Sequence, residues 1–197
     1  MTRGRPRDPD LESRVFDAVV GVYWESGWSG FTLDAVARRA RVGRAALYAR
    51  WASKDALLVD ALAALAPLPD PIDTGSARGD LTALARALLD GYARPAGLVT
   101  LRAALEARVH PDLLAGLTAS LNDSRLLAVR AIVRRGIERG ELPARTPTTL
   151  LLEIVTGAVL SRVLFAASPP DADYPDAVVT LALRAVGAQP LSGRRPG

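Results

Sequence analysis

The chain has 197 residues, 49% of them hydrophobic, and carries 25 Lys and Arg against 21 Asp and Glu, a net charge of +4. That length and apolar share suffice for a substantial core, as one long domain or as a small module joined to a larger one, and they exclude disorder over most of the chain. There is no cysteine, which excludes disulfides, thiolate nucleophiles and Cys-based metal sites and suits a reducing cytosol.

Ala, Leu and Arg dominate and aromatics make up only 5%, a mixture with high helix propensity and little strand character, so an all-α fold of about nine helices is expected. The N-terminal MTRGRPRDPD is charged and lacks the apolar core of a secretion signal, giving a cytoplasmic expectation. Asp8 before Pro9 starts a first helix, about Pro9 to Ser26, with Val15, Phe16, Val19, Val22 and Tyr23 on one face. Thr32 caps a second, Leu33 to Ala40, with Leu33, Val36, Ala37 and Ala40 inward. A third, Arg44 to Trp51, buries Leu47 and Trp51, and Ser53 caps a fourth, Lys54 to Ala66, through Leu57, Leu58, Ala61, Leu62 and Leu65. The proline-rich segment 67–76 divides an N-terminal domain, 1–66, from a C-terminal one, 77–197.

Beyond it the period stays helical. Leu81, Leu84, Leu88 and Tyr92 mark one helix, Leu98, Leu101 and Leu105 the next, and a long helix runs from Asp112 to Arg139, stopping at Gly140 in a left-handed turn. Thr146 and Pro147 start a helix to about Ala167 that is apolar nearly all round, too apolar for one partner face to cover; Glu153 and Arg162 interrupt it and favour a buried soluble helix over a membrane span. The last helix, Pro175 to Val186, is apolar on two sides. Such a pair suggests a four-helix bundle formed with a second copy, through Leu151, Ile154, Val155, Ala158, Val159, Val178, Leu181 and Ala182, the alternative being burial within one chain.

Between Ala35 and Lys54 lie Arg38, Arg39, Arg41, Arg44, Arg50 and Lys54 and no acidic residue. Two short helices joined by a tight turn, with small Ala37 and Ala40 where they touch and Val42 and Leu47 locking the turn, form a helix-turn-helix whose partner is double-stranded DNA. The third helix leaves Arg44, Ala45, Ala46, Tyr48 and Ala49 toward the groove. The Arg44 fork matches guanine O6 and N7, and Ala45 and Ala46 can meet thymine methyls. Tyr48 is either a phosphate contact or a core aromatic, and Arg38 and Arg39 read best as a solvated face. The arm with Arg3, Arg5 and Arg7 either follows the minor groove or is a solubilising tail.

Thr32, Val36, Ala37, Ala40, Val42, Leu47, Tyr48, Ser53, Lys54 and Leu57 match in register the run T-x-x-x-[IV]-A-x-x-A-G-V-[ST]-x-x-x-[LIF]-Y-x-[HY]-F-x-[SN]-K-x-x-L, with Trp51 for its Phe. The chain thus resembles the tetracycline-repressor (TetR) type of bacterial transcriptional regulators. Arg41 stands where that family has Gly, Gly43 where it has a capping Ser or Thr, and Arg50 where it has His or Tyr. The resemblance implies phosphate contacts for Thr32, Tyr48 and Lys54; Arg50 is added on charge and placement. It also implies a C-terminal domain that pairs two subunits and encloses a small, largely apolar effector, whose pocket is expected from Tyr92, Leu101, Leu105, His110, Leu121 and Phe165. The stretch from Arg135 to Thr146 looks like the family's entry into the dimerisation helices.

His110 before Pro111 reads as a turn or capping residue. No nucleophile, base and orienter cluster, no metal ligand set is evident, and the acidic residues of the C-terminal half look scattered and solvated, so neither catalysis nor a cofactor is expected. The sequence therefore predicts a repressor that binds a palindromic operator as a dimer and is released by a small molecule. The alternative is a constitutive or architectural DNA-binding dimer without a pocket.

Overall fold

The computed structural model describes residues 10–65 and 72–187, without side chains at 65, 111–122, 124 and 125. The basic arm with Arg3, Arg5 and Arg7, the Asp8–Pro9 helix start and the Leu121 side chain lie outside the described residues. Among the described residues there are nine helices and no strand: α1 Leu11–Gly30, α2 Leu33–Ala40, α3 Arg44–Tyr48, α4 Lys54–Leu65, α5 Ala77–Tyr92, α6 Pro95–Glu106, α7 Pro111–Glu138, α8 Thr148–Phe165 and α9 Tyr174–Ala185. The chain is all-α.

It divides into two compact units, Met1–Ala66 with Pro95–Ala119, and Pro67–Arg94 with Ser120–Gly197. The first therefore reaches past the proline-rich connection and takes in α6. Its core holds the apolar faces expected of α1 to α4: Val15, Val19, Tyr23, Val36, Leu47, Leu57, Leu58, Ala61 and Leu62 are at or near zero exposure. Phe16 packs on Trp51 at 6.0 Å between ring centroids, and Tyr23 meets Phe31 edge-on at 5.7 Å, an aromatic geometry that adds to the area buried.

At α6 the expected face is wrong. Val99, Ala103 and Ala107, spaced four apart, are buried against that core, whereas Leu105 is 72% exposed and Leu98 and Leu101 are half-buried. The small residues allow α6 to lie close against α1 and α4, and this close approach decides the face over the larger leucines.

In the second unit α5 packs on both α8 and α9. Leu81, Leu84, Ala85 and Leu88 are buried with Leu151, Val155, Val159, Val179 and Ala182. Gly140 follows α7 with φ 74°, the left-handed stop expected there. Thr146, expected to cap α8, instead donates its hydroxyl to Pro143 O at 2.7 Å, and Pro147 precedes the helix. The acidic residues are not all solvated either. Asp80 is fully buried and accepts from Thr74 N at 2.6 Å, Thr74 Oγ1 at 2.8 Å and Arg135 Nη2 at 2.9 Å, while Glu106 is held by three donors in the first unit.

Helix α8, with 18 residues and mean hydropathy 1.6, is the one helix among the described residues long and apolar enough to cross a membrane. It is not the buried helix expected from its composition. Leu151, Leu152, Val155 and Val159 are covered, but Leu150 and Leu164 are about half exposed and Phe165 is 83% exposed.

Candidate nucleic-acid interface

Helix α2 begins where Thr32, in extended backbone, accepts the Ala35 N–H on Oγ1 at 3.1 Å, satisfying one of the amides a helix start leaves unpaired. It ends at Arg41, whose φ of 56° and ψ of 44° are left-handed; the Val42 N–H then returns to Ala37 O at 3.0 Å. The chain thus takes the turn that a Gly would favour with an Arg in its place, a strain of about 1 kcal/mol. Gly43 is extended, at φ −65°, and makes no side-chain cap, so α3 starts without the hydroxyl that Ser or Thr would supply.

Helix α3 is short, Arg44 to Tyr48, because after it the chain tightens: Arg50 N and Trp51 N both donate to Leu47 O at 2.9 Å. Leu47 is fully buried and Trp51 is 5% exposed, its Nε1–H donating to Asp60 Oδ2 at 3.0 Å. This anchoring turns the rest of the segment outward. Arg44, Ala45, Ala46, Ala49 and Arg50 are exposed, and Tyr48 is 54% exposed, which removes the core-aromatic alternative for it.

The basic side chains fall into two kinds. Arg39 is paired with Glu25 at 2.7 Å and belongs to the solvated face expected of it, and Arg44 lies 3.1 Å from Asp34 with 68% of its side chain exposed. An exposed pair of this kind is worth roughly 0–1 kcal/mol and yields readily to a stronger acceptor. Lys54 is held differently. Its Nζ donates to Trp28 O at 3.1 Å and sits 3.9 Å from the centre of the Trp28 ring, while Ser53 Oγ accepts Ala56 N–H at 3.2 Å and caps α4. Trp28 was not singled out by periodicity, and nothing in the helical period pairs it with Lys54, 26 positions away.

Residues 15–61 match the family of bacterial regulatory proteins of the tetR type, and residues 71–182 match the tetracyclin repressor-like C-terminal domain. The chain belongs to the TetR family. The HTH-type transcriptional regulator AqdR of Rhodococcus erythropolis is 30% identical over 185 residues, covering 92% of this chain and 87% of its own. The HTH-type regulator YdeS of Bacillus subtilis is 27% identical over 188 residues, 94% of each chain. A crystal structure of a transcriptional regulator from Rhodococcus sp. Rha1 has a TM-score of 0.69 at 25% identity and covers 91% of this chain and 99% of that one. Membership makes the segment from Thr32 to Lys54 a TetR-family DNA-binding helix-turn-helix.

Two sets of expected TetR-family residues need correction. Of the pocket residues, Leu105 and Phe165 are 72% and 83% exposed, Tyr92 is 2% exposed within the second unit, and Leu101 and His110 fall in the first unit, both half-buried. Of the dimer residues, Leu151, Val155, Val159, Val178 and Ala182 are buried by the chain's own helices, so they offer no surface to a second copy. Only Leu181, 65% exposed, and half-buried Ile154 and Ala158 remain available. The period that picked these positions marks apolar faces but cannot say which face the chain itself covers.

Proposed function

We propose that the protein is a cytoplasmic, homodimeric repressor that reads a palindromic operator and is released by a small, largely apolar effector. The observation carrying DNA readout is the outward set at α3, where Arg44, Ala45, Ala46, Tyr48 and Arg50 are exposed around buried Leu47 and Trp51. In this reading Arg44 leaves Asp34 for a guanine and Ala45 and Ala46 contact thymine methyls, while Thr32, Tyr48, Arg50 and Lys54 hold phosphates and Arg3, Arg5 and Arg7 follow the minor groove.

Dimerisation is supported by the uncovered side of α8 and α9. Leu150, Ile154, Gly157, Ser161 and Leu164 recur at helical spacing opposite the buried stripe of α8, and Leu181 and Ala177 do the same on α9. A second copy covering this face, rather than lipid, accounts for the apolar character of α8. For the effector, a cleft of about 280 Å³ in the second unit is lined by Leu126, Thr149, Leu152, Glu153, Thr156, Gly157 and Leu160. Thr156 Oγ1 is buried with no hydrogen-bond partner among the described residues, so an apolar ligand with one polar group suits it.

Selection of bound sequences from random duplex DNA tests the reading. A two-fold symmetric site is expected, and Arg44→Ala should relax base preference at one position of each half-site. An asymmetric or featureless profile from the unaltered protein would overturn it.

A further inference from the structure

Lys54 is the only lysine among 25 basic residues, and its ammonium ends a chain of contacts that starts on α6. The Glu106 carboxylate uses both oxygens. Oε2 accepts Tyr23 Oη–H at 2.5 Å and Trp28 N–H at 3.0 Å, and Oε1 accepts Arg102 Nε–H at 3.0 Å. Arg102 in turn donates to Trp24 O at 2.5 Å. The end of α1 is opened for this pair by Gly27, at φ 60°, where a Cβ would collide with the Arg102 guanidinium and come within 2.8 Å of Glu106 Oε1. Trp28, gripped through its N–H by Glu106, then presents its own carbonyl and ring to Lys54.

We propose that Glu106 is a positioning residue for DNA binding, fixing through Trp28 where the Lys54 ammonium stands at the start of α4. The inference rests on the reading above that Lys54 holds a phosphate. A lysine side chain has many rotamers, and a phosphate contact made from a freely rotating one gives up that entropy on binding. Here one N–H is committed to Trp28 O and the charge lies over the ring, so the stem is ordered before DNA arrives. Of the three donors of an ammonium, two are left for phosphate. Without Glu106 the Trp28 N–H loses its acceptor, the carbonyl and ring are no longer fixed, and Lys54 reverts to a mobile cation.

The test is a double-mutant cycle on the full chain. Binding to a 30-base-pair duplex, a length set at roughly three helical turns, is followed by fluorescence anisotropy across a salt series for the unaltered protein, Lys54→Ala, Glu106→Ala and the double variant. Lys54→Ala should lower the salt slope by about one unit. Glu106→Ala should weaken binding about fivefold when Lys54 is present and have no effect on the Lys54→Ala protein. Equal losses in the two backgrounds would overturn the positioning role while leaving the phosphate contact standing. An unchanged salt slope for Lys54→Ala would instead remove the phosphate contact and the proposal with it. Should circular dichroism show Glu106→Ala unfolded, Glu106→Gln carries the same cycle, keeping an acceptor for Trp28 N–H and losing the Arg102 pair. About a twofold loss is then expected, with the same overturning result.

Discussion

Asp80 and Glu106 each collect arginine and backbone donors from distant parts of the chain, yet the Asp80 side chain is 0% exposed and that of Glu106 is 21% exposed. Asp80 draws the turn at Thr74 and the end of α7 onto the start of α5, and the further contacts of its partners stay within the second unit: Arg135 also donates to Ile72 O and pairs with Asp73, and Arg139, 3.7 Å from Asp80, also bonds Glu141. Glu106 draws the end of α1 onto α6, and its partner Trp28 leads on to Lys54. The same chemistry thus closes an interior in one unit and, in the other, connects an interior to Lys54, the proposed phosphate contact.

The largest effect that would break this comparison is expected at Asp80. Asp80→Ala leaves Arg135, whose side chain is only 23% exposed, with Ile72 O and Asp73 at 3.7 Å but without its buried carboxylate, and removing one partner of a buried pair costs about 3 kcal/mol. Burial alone would push the Asp80 carboxyl up, but the Thr74 amide, the Arg135 guanidinium and the Thr74 hydroxyl outweigh it and hold the group below the usual carboxylate range. A depressed folded pKa means the unfolded chain binds the extra proton first. The stability Asp80 contributes is therefore complete above about pH 4 and is lost as pH falls through the folded value. Urea titrations from pH 7 down to about pH 2.5, spanning that carboxylate range, should show an acid decline that Asp80→Ala flattens, with DNA affinity of the folded fraction unchanged. A loss of affinity at pH 7 would mean that Asp80 reaches the interface after all.

At Glu106 the corresponding probe is Tyr23→Phe, which removes one hydrogen bond to a carboxylate and leaves the ring, for about 1.5 kcal/mol. Here the pH signature has a second limb. Burial, then the Glu106 hydrogen bond and charge, push the Tyr23 phenol well above its ordinary value. A raised folded pKa gives stability that is full below about pH 10 and lost above it as the unfolded phenol ionises. Glu106 itself is desolvated, but bonds from Tyr23, Arg102 and Trp28 N–H leave its carboxyl lowered, so it adds to the acid limb. Tyr23→Phe should abolish the alkaline limb and, by taking away the first of the donors that lower the Glu106 carboxyl, also make the acid limb shallower. If the alkaline limb persists in the variant, the Tyr23 hydroxyl is not the group that reports on the Glu106 cluster.

The sequence made the α1 to α4 core legible because its residues repeat every three or four positions, and Leu47, Trp51, Leu57 and Leu62 are buried as expected. The start of α2 was legible too, since Thr32 caps it; the turn was not, because the departures at Arg41 and Gly43 pointed to an altered geometry, whereas Arg41 takes the left-handed conformation that a Gly would favour. Neither carboxylate cluster was legible. Glu106 meets Tyr23 across 83 positions and Asp80 meets Arg135 across 55, and no helical period encodes which helix lies opposite. On α6 the same gap misled in another way, since Val99, Ala103 and Ala107 were hidden beneath the stronger apolar signal of Leu101 and Leu105. On α8 and α9 apolar residues lie on both sides, and composition cannot say which side the chain itself covers.

The smallest predicted effect separates position from stability within the first unit. Arg41→Gly relieves a non-glycine residue at φ 56° and keeps the Val42 to Ala37 backbone bond. The gain is reduced by the extra freedom glycine gives the unfolded chain, leaving about 0.5 kcal/mol. The exposed Arg41 side chain touches neither Trp28 nor Glu106 among the contacts described. Placed on Glu106→Ala, Arg41→Gly should raise the urea midpoint yet restore none of the lost DNA affinity, measured relative to Arg41→Gly alone so that the missing charge cancels. Were affinity to return in step with the midpoint, Glu106 would act only by keeping its unit folded. It would then be the same kind of interior staple as Asp80, and the contact from Trp28 to Lys54 would carry no positional information to the DNA.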